Sequence, residues 1–160
     1  MARKFLSDAG MDPKTRAAGL LVLLYGIQLT RIVTITRTQI DTSSRPVRLT
    51  VGAEPIGLPE ILGDAISDLA DAAKHHPEGW LFPGRNPGNH LTPGPLSRRL
   101  RAEGLLAGSA RTTALIELTR QMHPRIVSDL LGITTSSAAA WSRLAGGDWS
   151  DYPALRSDHA

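Results

Sequence analysis

Between Ala17 and Tyr25 the chain reads A-A-G-L-L-V-L-L-Y, with no charged side chain. Asp12-Pro13 ahead of it supplies an N-cap and a first-turn proline, so a helix is expected from Pro13 to about Gly26. After Arg16 that helix is apolar nearly all round, and such a helix needs neighbours on every side. The fold must therefore wrap other elements around it. The apolar run from Ala17 to Ile27 is too short to span a bilayer. Asp8 and Asp12 interrupt what would be the entry of a signal peptide. These features predict a soluble, cytoplasmic protein that does not enter the membrane.

The chain has 160 residues, enough for one domain with a sizeable core. Hydrophobic residues make up 41% and charged residues 21%, which favours folding over disorder. Aromatic residues are only 4%, so the core must be aliphatic and alanine-rich. There is no cysteine, which excludes disulfides, zinc-thiolate sites and thiol catalysis together. The net charge of +3 is a mild excess, so the placement of basic residues matters more than their sum. Most of them are arginines, suited to phosphate or carboxylate contacts.

Met1 to Met11 reads as a polar, loose lead-in, 12–155 as one unit and 156–160 as a frayed tail. Ile32, Val33 and Ile35 suggest a buried turn, and Thr36-Arg37-Thr38-Gln39 matches a capping box. D-T-S-S-R-P from Asp41 is turn chemistry. Val47 to Val51 alternates with period two, and Pro55 to Leu58 can return beside it as a weak edge strand. Pro59 opens a helix whose stripe holds Ile61, Leu62, Ala65, Ile66, Leu69 and Ala73. It ends at His75-His76-Pro77; with no carboxylate or cysteine to complete a site, the two histidines read as a solvated helix end, and no metal or cofactor is expected. Trp80 to Gly84 is extended, with its rings as anchors. No internal repeat is present. The expected fold class is mainly α with one small antiparallel hairpin.

Thr92-Pro93 begins a helix with Leu96 and Leu100 on one face and Arg98, Arg99 and Arg101 on the other, the densest basic cluster in the chain. Glycines break it between Gly104 and Gly108, and a helix from Arg111 to Met122 follows. From His123 the sequence reads H-P-R-I-V-S-D-L-L-G-I-T-T-S-S-A-A-A-W-S-R-L-A-G-G. Ile126, Val127, Leu130 and Leu131 give an apolar face, and Gly132 is a left-handed stop. Thr134 or Thr135 can cap a second helix whose inner side carries Ala138, Trp141 and Leu144. Two short helices joined at a glycine can form a helix-turn-helix, whose second helix lies in a major groove. They can equally be a hairpin that fills a core, and an arginine-rich face can be merely solvated; the spacing fits either reading.

The order of these motifs resembles the C-terminal catalytic domain of tyrosine recombinases, the phage integrase and Xer-type family, over roughly Asp12 to Leu144. L-L-V-L-L-Y-G-I-Q-L-T-R-I-V-T-I is similar to the family's entry helix, usually Leu-Leu-Tyr-x-x-Gly-Leu-Arg-x-x-Glu-Leu. The hairpin before I-G-L-P is similar to its small sheet. W-L-F-P-G-R followed by L-T-P-G-P-L-S-R-R-L looks like its Leu-Phe-Pro loop and next helix, and D-L-L-G-I-T-T-S-S like its Leu-Leu-Gly-His segment.

The resemblance implies double-stranded DNA as partner and leaves self-association open. In the family a tyrosine attacks the phosphodiester, arginines and histidines bind the phosphate, and a hairpin lysine assists. This sequence departs from that set. Gln28 stands where the first arginine belongs, with Arg31 three residues on. The hairpin turn has Gly52 and Ala53 and no lysine, with Arg48 close. Arg111 falls at or beside the His-x-x-Arg arginine, with Gly108 at the histidine position. Ile133 replaces the Leu-Leu-Gly histidine, and the nucleophile position falls on Trp141 or Ser142. Tyr152 lies about a turn or more beyond.

The implied catalytic candidates are Arg31, Arg111 and Tyr152. The candidate DNA contacts, from the basic cluster, the hairpin and the helix-turn-helix spacing, are Arg48, Arg98, Arg99, Arg101, Thr134, Thr135 and Arg143. No N-terminal clamping domain fits before Asp12, so a fragment-like relative is expected. The sequence thus predicts a recombinase-like fold with degraded chemistry; the alternatives are a helix-turn-helix regulator without strand exchange and a protein-interaction domain using the same helices.

Overall fold

A computed structural model describes residues 2–146. Its elements, in chain order, are α1 (Ala2–Ser7), α2 (Pro13–Tyr25), α3 (Leu29–Ile32), a 3-10 turn (Arg37–Gln39), β1 (Ile40–Asp41), β2 (Arg48–Leu49), β3 (Ile56–Gly57), α4 (Glu60–Ala73), α5 (Pro93–Ala102), α6 (Ala107–Gln121), α7 (Pro124–Leu131) and α8 (Thr135–Leu144). The fold is mainly helical with one small antiparallel sheet, as the sequence predicts.

The all-apolar helix is the centre. Asp12 Oδ2 accepts the Thr15 N–H at 3.0 Å and so caps α2. Ala17, Ala18, Leu20 and Leu21 are wholly buried. α2 packs against α6, α4, α1, α3 and α5. It stops at Gly26, which is left-handed at φ 62° and returns its N–H to Val22 O. A Cβ there would come within 2.8 Å of Leu115 Cγ, so the glycine also lets α6 approach the end of α2.

The lead-in is a correction. Residues 2 to 7 form a helix, and Phe5 is completely buried against α2. Gly19 makes room for its ring: a Cβ on that residue would lie 2.3 Å from Phe5 Cε1. Arg16 then fastens α1 by donating to Phe5 O and Leu6 O, each at 2.7 Å. One aromatic anchor among polar neighbours produces no periodicity, so nothing in the local pattern announces this helix.

The sheet has three strands in the order β1-β2-β3, one more than the expected hairpin. Leu49 pairs with both Ile40 and Ile56, and Arg48 with both Asp41 and Gly57. Leu49 and Ile56 face the core while Arg48 and Gly57 face out, the alternation the sequence predicts. β1 is only two residues long and runs directly into the Asp41 turn. There Asp41 accepts hydrogen bonds from Ser43 and Ser44, and these hold its carboxyl down at about 2.

Three predicted core positions lie outside. Ile61 and Ile126 are each 44% exposed, and Leu144 is 69% exposed. In α4 the row Leu62, Ile66, Leu69 and Ala73 takes the core, which turns Ile61 to the rim. In α7 the buried pair is Val127 and Leu131, and Ile126 faces away. Gly132, at φ 67°, ends α7, and Thr134 caps α8 by accepting the Ser137 N–H at 3.1 Å. α6 starts at Ala107, four residues ahead of the expected Arg111, because Gly108 is accepted inside it. Phe82 is fully buried and Trp80 half-buried, donating to Gly88 O at 3.1 Å, so the extended Trp80 segment is anchored as expected.

Candidate functional site

Arg31 and Arg111 are eighty residues apart in sequence yet line one concavity of about 290 Å³. Gln28, Gly132, Ile133, Thr134 and Ser137 complete the part of its wall that matters here. α3 brings Arg31 to this place, and the first half of α6 brings Arg111. The α7–α8 turn forms the opposite side.

The two guanidinia are not equivalent. Arg31 donates from Nη2 to Val51 O at 2.7 Å and from Nη1 to Leu131 O. Arg111 has a buried Nε with no hydrogen-bond partner among the described residues. Its guanidinium lies over the Trp141 ring, 5.7 Å from the centroid. Burial pushes the Arg111 pKa below its ordinary value, and the positive charge of Arg31 pushes it the same way. Among the described residues, no carboxylate lines the concavity. Two cations without an acid in a partly dry recess make an arrangement that an anion would stabilise.

A larger cleft, about 650 Å³, opens between the start of α2, the loop after Phe82 and the start of α5. Arg98 and Arg99 line it together with Lys14 and Arg85, and again no acidic side chain among the described residues does. The sequence gives no reason to single out Lys14 and Arg85. They are 71 residues apart, in a first helical turn and a Gly-Pro-Asn loop, and only tertiary structure joins them to α5. Arg101 is exposed on the same helix but does not line the cleft. Arg98, Arg99 and Arg101 make no salt bridge among the described residues.

The other predicted positions are scattered. Arg48 is exposed on the middle strand, opposite Asp41. Thr134 and Thr135 are exposed at the start of α8, and Thr134 also lines the Arg31–Arg111 concavity. Arg143 is exposed in the last turn of α8, where a cation complements the helix dipole. His75 and His76 are exposed beyond α4, and no group of described residues could hold a metal ion.

The nucleophile candidates divide clearly. Trp141 stacks on Arg111. Ser142 is 3% exposed, and its hydroxyl has no partner among the described residues, so it is closed off from solvent. Tyr25 is half-buried, and burial raises its phenol to about 12. Tyr152 lies outside the described residues. His123 is buried at the entry of α7 and accepts the Arg125 N–H through Nδ1 at 3.1 Å. Burial and then the Arg125 charge lower its pKa, so the capping imidazole is neutral.

No protein-family model matches the chain, and no curated protein matches it in sequence. Its structure is similar to that of XerA recombinase, with a TM-score of 0.66 and 14% identity over 88% of this chain. It is also similar to the Tn1549 transposon integrase in complex with transposon right end DNA, with a TM-score of 0.61 and 15% identity over 98% of this chain. The chain spans 57% of the first protein and 62% of the second. At such identity the likeness is one of fold, and the fold is recombinase-like. Among the described residues, no helix is long and apolar enough to cross a membrane.

Proposed function

We propose that this chain is a DNA-binding protein built on the recombinase-like fold, with the strand-cleaving chemistry of that fold degraded. The observation that carries the reading is the α5 cleft, whose charged lining among the described residues is entirely basic: Lys14, Arg85, Arg98 and Arg99. Cations gathered around one recess suit a polyanion backbone, where each neutralised phosphate releases counterions. Thr135 and Arg143 lie exposed on α8 and Thr134 lies exposed at its cap, which supports its use as a groove-facing helix.

The degraded chemistry rests on particular positions. Strand cleavage needs fixed positive charge around a phosphorane and a nucleophile within reach. Gln28 is neutral, Ile133 brings no donor, and Ser142 is buried without an activating base. Of the catalytic candidates Arg31, Arg111 and Tyr152, the first two line one concavity. A regulator that binds through α7 and α8 alone is the second reading, favoured by the glycine turn and the Thr134 cap.

The test is a gel shift on duplex DNA at two salt concentrations. Binding should weaken steeply with salt, and replacing Arg98, Arg99 and Arg101 together by alanine should abolish it. Unchanged affinity and slope in that variant would mean the arginine face is merely solvated. A variant that loses Thr134, Thr135 and Arg143 but keeps full binding would exclude the α8 reading.

A further inference from the structure

Gln28 holds the position of the first arginine and Arg31, three residues on, is the nearest side chain that could replace it, yet the Arg31 guanidinium is occupied by the protein's own backbone. Its two terminal nitrogens donate to Val51 O, at the tip between β2 and β3, and to Leu131 O, the last carbonyl of α7. Helix-end carbonyls lack intrahelical donors and carry the negative end of the dipole, so a cation there is doubly favoured.

The same junction is tight on every side. A Cβ on Gly52 would sit 2.3 Å from Asp129 O and 2.6 Å from Gly132 N. A Cβ on Gly132 would sit 2.7 Å from Val51 O and 2.8 Å from Arg31 Nη2. Glu54 N–H adds a bond to Asp129 O at 3.1 Å. Two backbones approach at a pair of glycines, and one arginine bridges them.

We infer that Arg31 is a positioning residue, a latch that ties the sheet tip to the end of α7 and so fixes where the Gly132–Thr134 turn and α8 face. Two separate nitrogens of the rigid guanidinium fork each reach one carbonyl, a spacing that the single nitrogen of an ammonium does not reproduce. A lysine keeps the charge and loses the bridge. This separates the latch from a phosphate contact, which lysine would largely preserve. The consequence for α8 rests on the proposed DNA binding; the latch itself does not.

The experiment is amide hydrogen exchange on the whole chain without DNA, for Arg31→Lys, Arg31→Ala and Gly52→Ala. All three should exchange about tenfold faster at the bonded amides of Glu54, Leu131 and Gly132, the effect of weakening the bridged junction, while α2 and α4 hold their protection. If Arg31→Ala unfolds the chain, the Lys and Gly52 variants carry the result. Wild-type protection of these amides in Arg31→Lys overturns the latch.

The salt slope of duplex binding is the second readout. It should stay the same in Arg31→Lys and Arg31→Ala while affinity falls several-fold in both. A slope lowered by about one in Arg31→Ala alone makes Arg31 a phosphate ligand instead. If no variant, nor the parent chain, binds duplex, the DNA reading fails while the exchange result still judges the latch.

Discussion

His123 ties a local charge state to the whole fold. Its Nδ1 accepts the Arg125 N–H, a role open only to the neutral ring. Its folded pKa is depressed below the ordinary 6.5, so the unfolded chain binds the extra proton first. Stability is then complete above about 6.5 and is lost as pH falls from there toward the depressed value. Denaturant melts between about pH 7.5 and 5 should show this acid loss. His123→Asn, which caps without titrating, should flatten it; an equal loss in that variant would place the cause elsewhere. Gly26 offers a second test at one residue. At φ 62°, and with Leu115 Cγ only 2.8 Å from where a Cβ would stand, alanine is both strained and crowded. Gly26→Ala should cost about 1–2 kcal/mol from left-handed strain alone, with the clash added, in chemical denaturation. No loss would mean that α2 and α6 yield freely there.

At the scale of elements, α5 is where charge becomes a surface. Arg98 and Arg99 line the basic cleft and Arg101 does not. The double variant Arg98→Ala, Arg99→Ala should lower the magnitude of the salt slope by about two, and Lys14→Ala by about one, whereas Arg101→Ala should change it less. Salt titrations of a duplex complex read this directly, and a slope that depends equally on all three arginines would argue for diffuse attraction rather than a cleft. The helices themselves are largely legible in the sequence. Asp12, Pro13 and Gly26 bracket α2, and Pro124, Gly132 and Thr134 mark α7 and α8, because caps and breakers act locally. α1 and β1 are not legible, since Phe5 and Ile40 are single anchors whose meaning lies in distant partners. The site is half legible for the same reason. Arg31 and Arg111 can be named, but that backbone carbonyls occupy one and Trp141 covers the other depends on contacts 20 to 100 residues away.

For the molecule as a whole, a helical core around α2 carries a recombinase-like frame, and the proposed function has the chemistry of that frame thinned out. Lost transition-state donors typically cost about a hundred- to a thousand-fold each, and groups that act as a unit do not fail independently. Gln28 and Ile133 are therefore enough to predict no efficient cleavage even if Tyr152 reaches the concavity. The measurement that bears most directly on this is a duplex nicked beside the scissile bond, incubated with the chain and run on native and denaturing gels. A salt-sensitive complex should appear on the native gel and leave only free DNA on the denaturing one. A denaturant-resistant protein–DNA adduct that disappears in Tyr152→Phe would contradict this and make Tyr152 a working nucleophile.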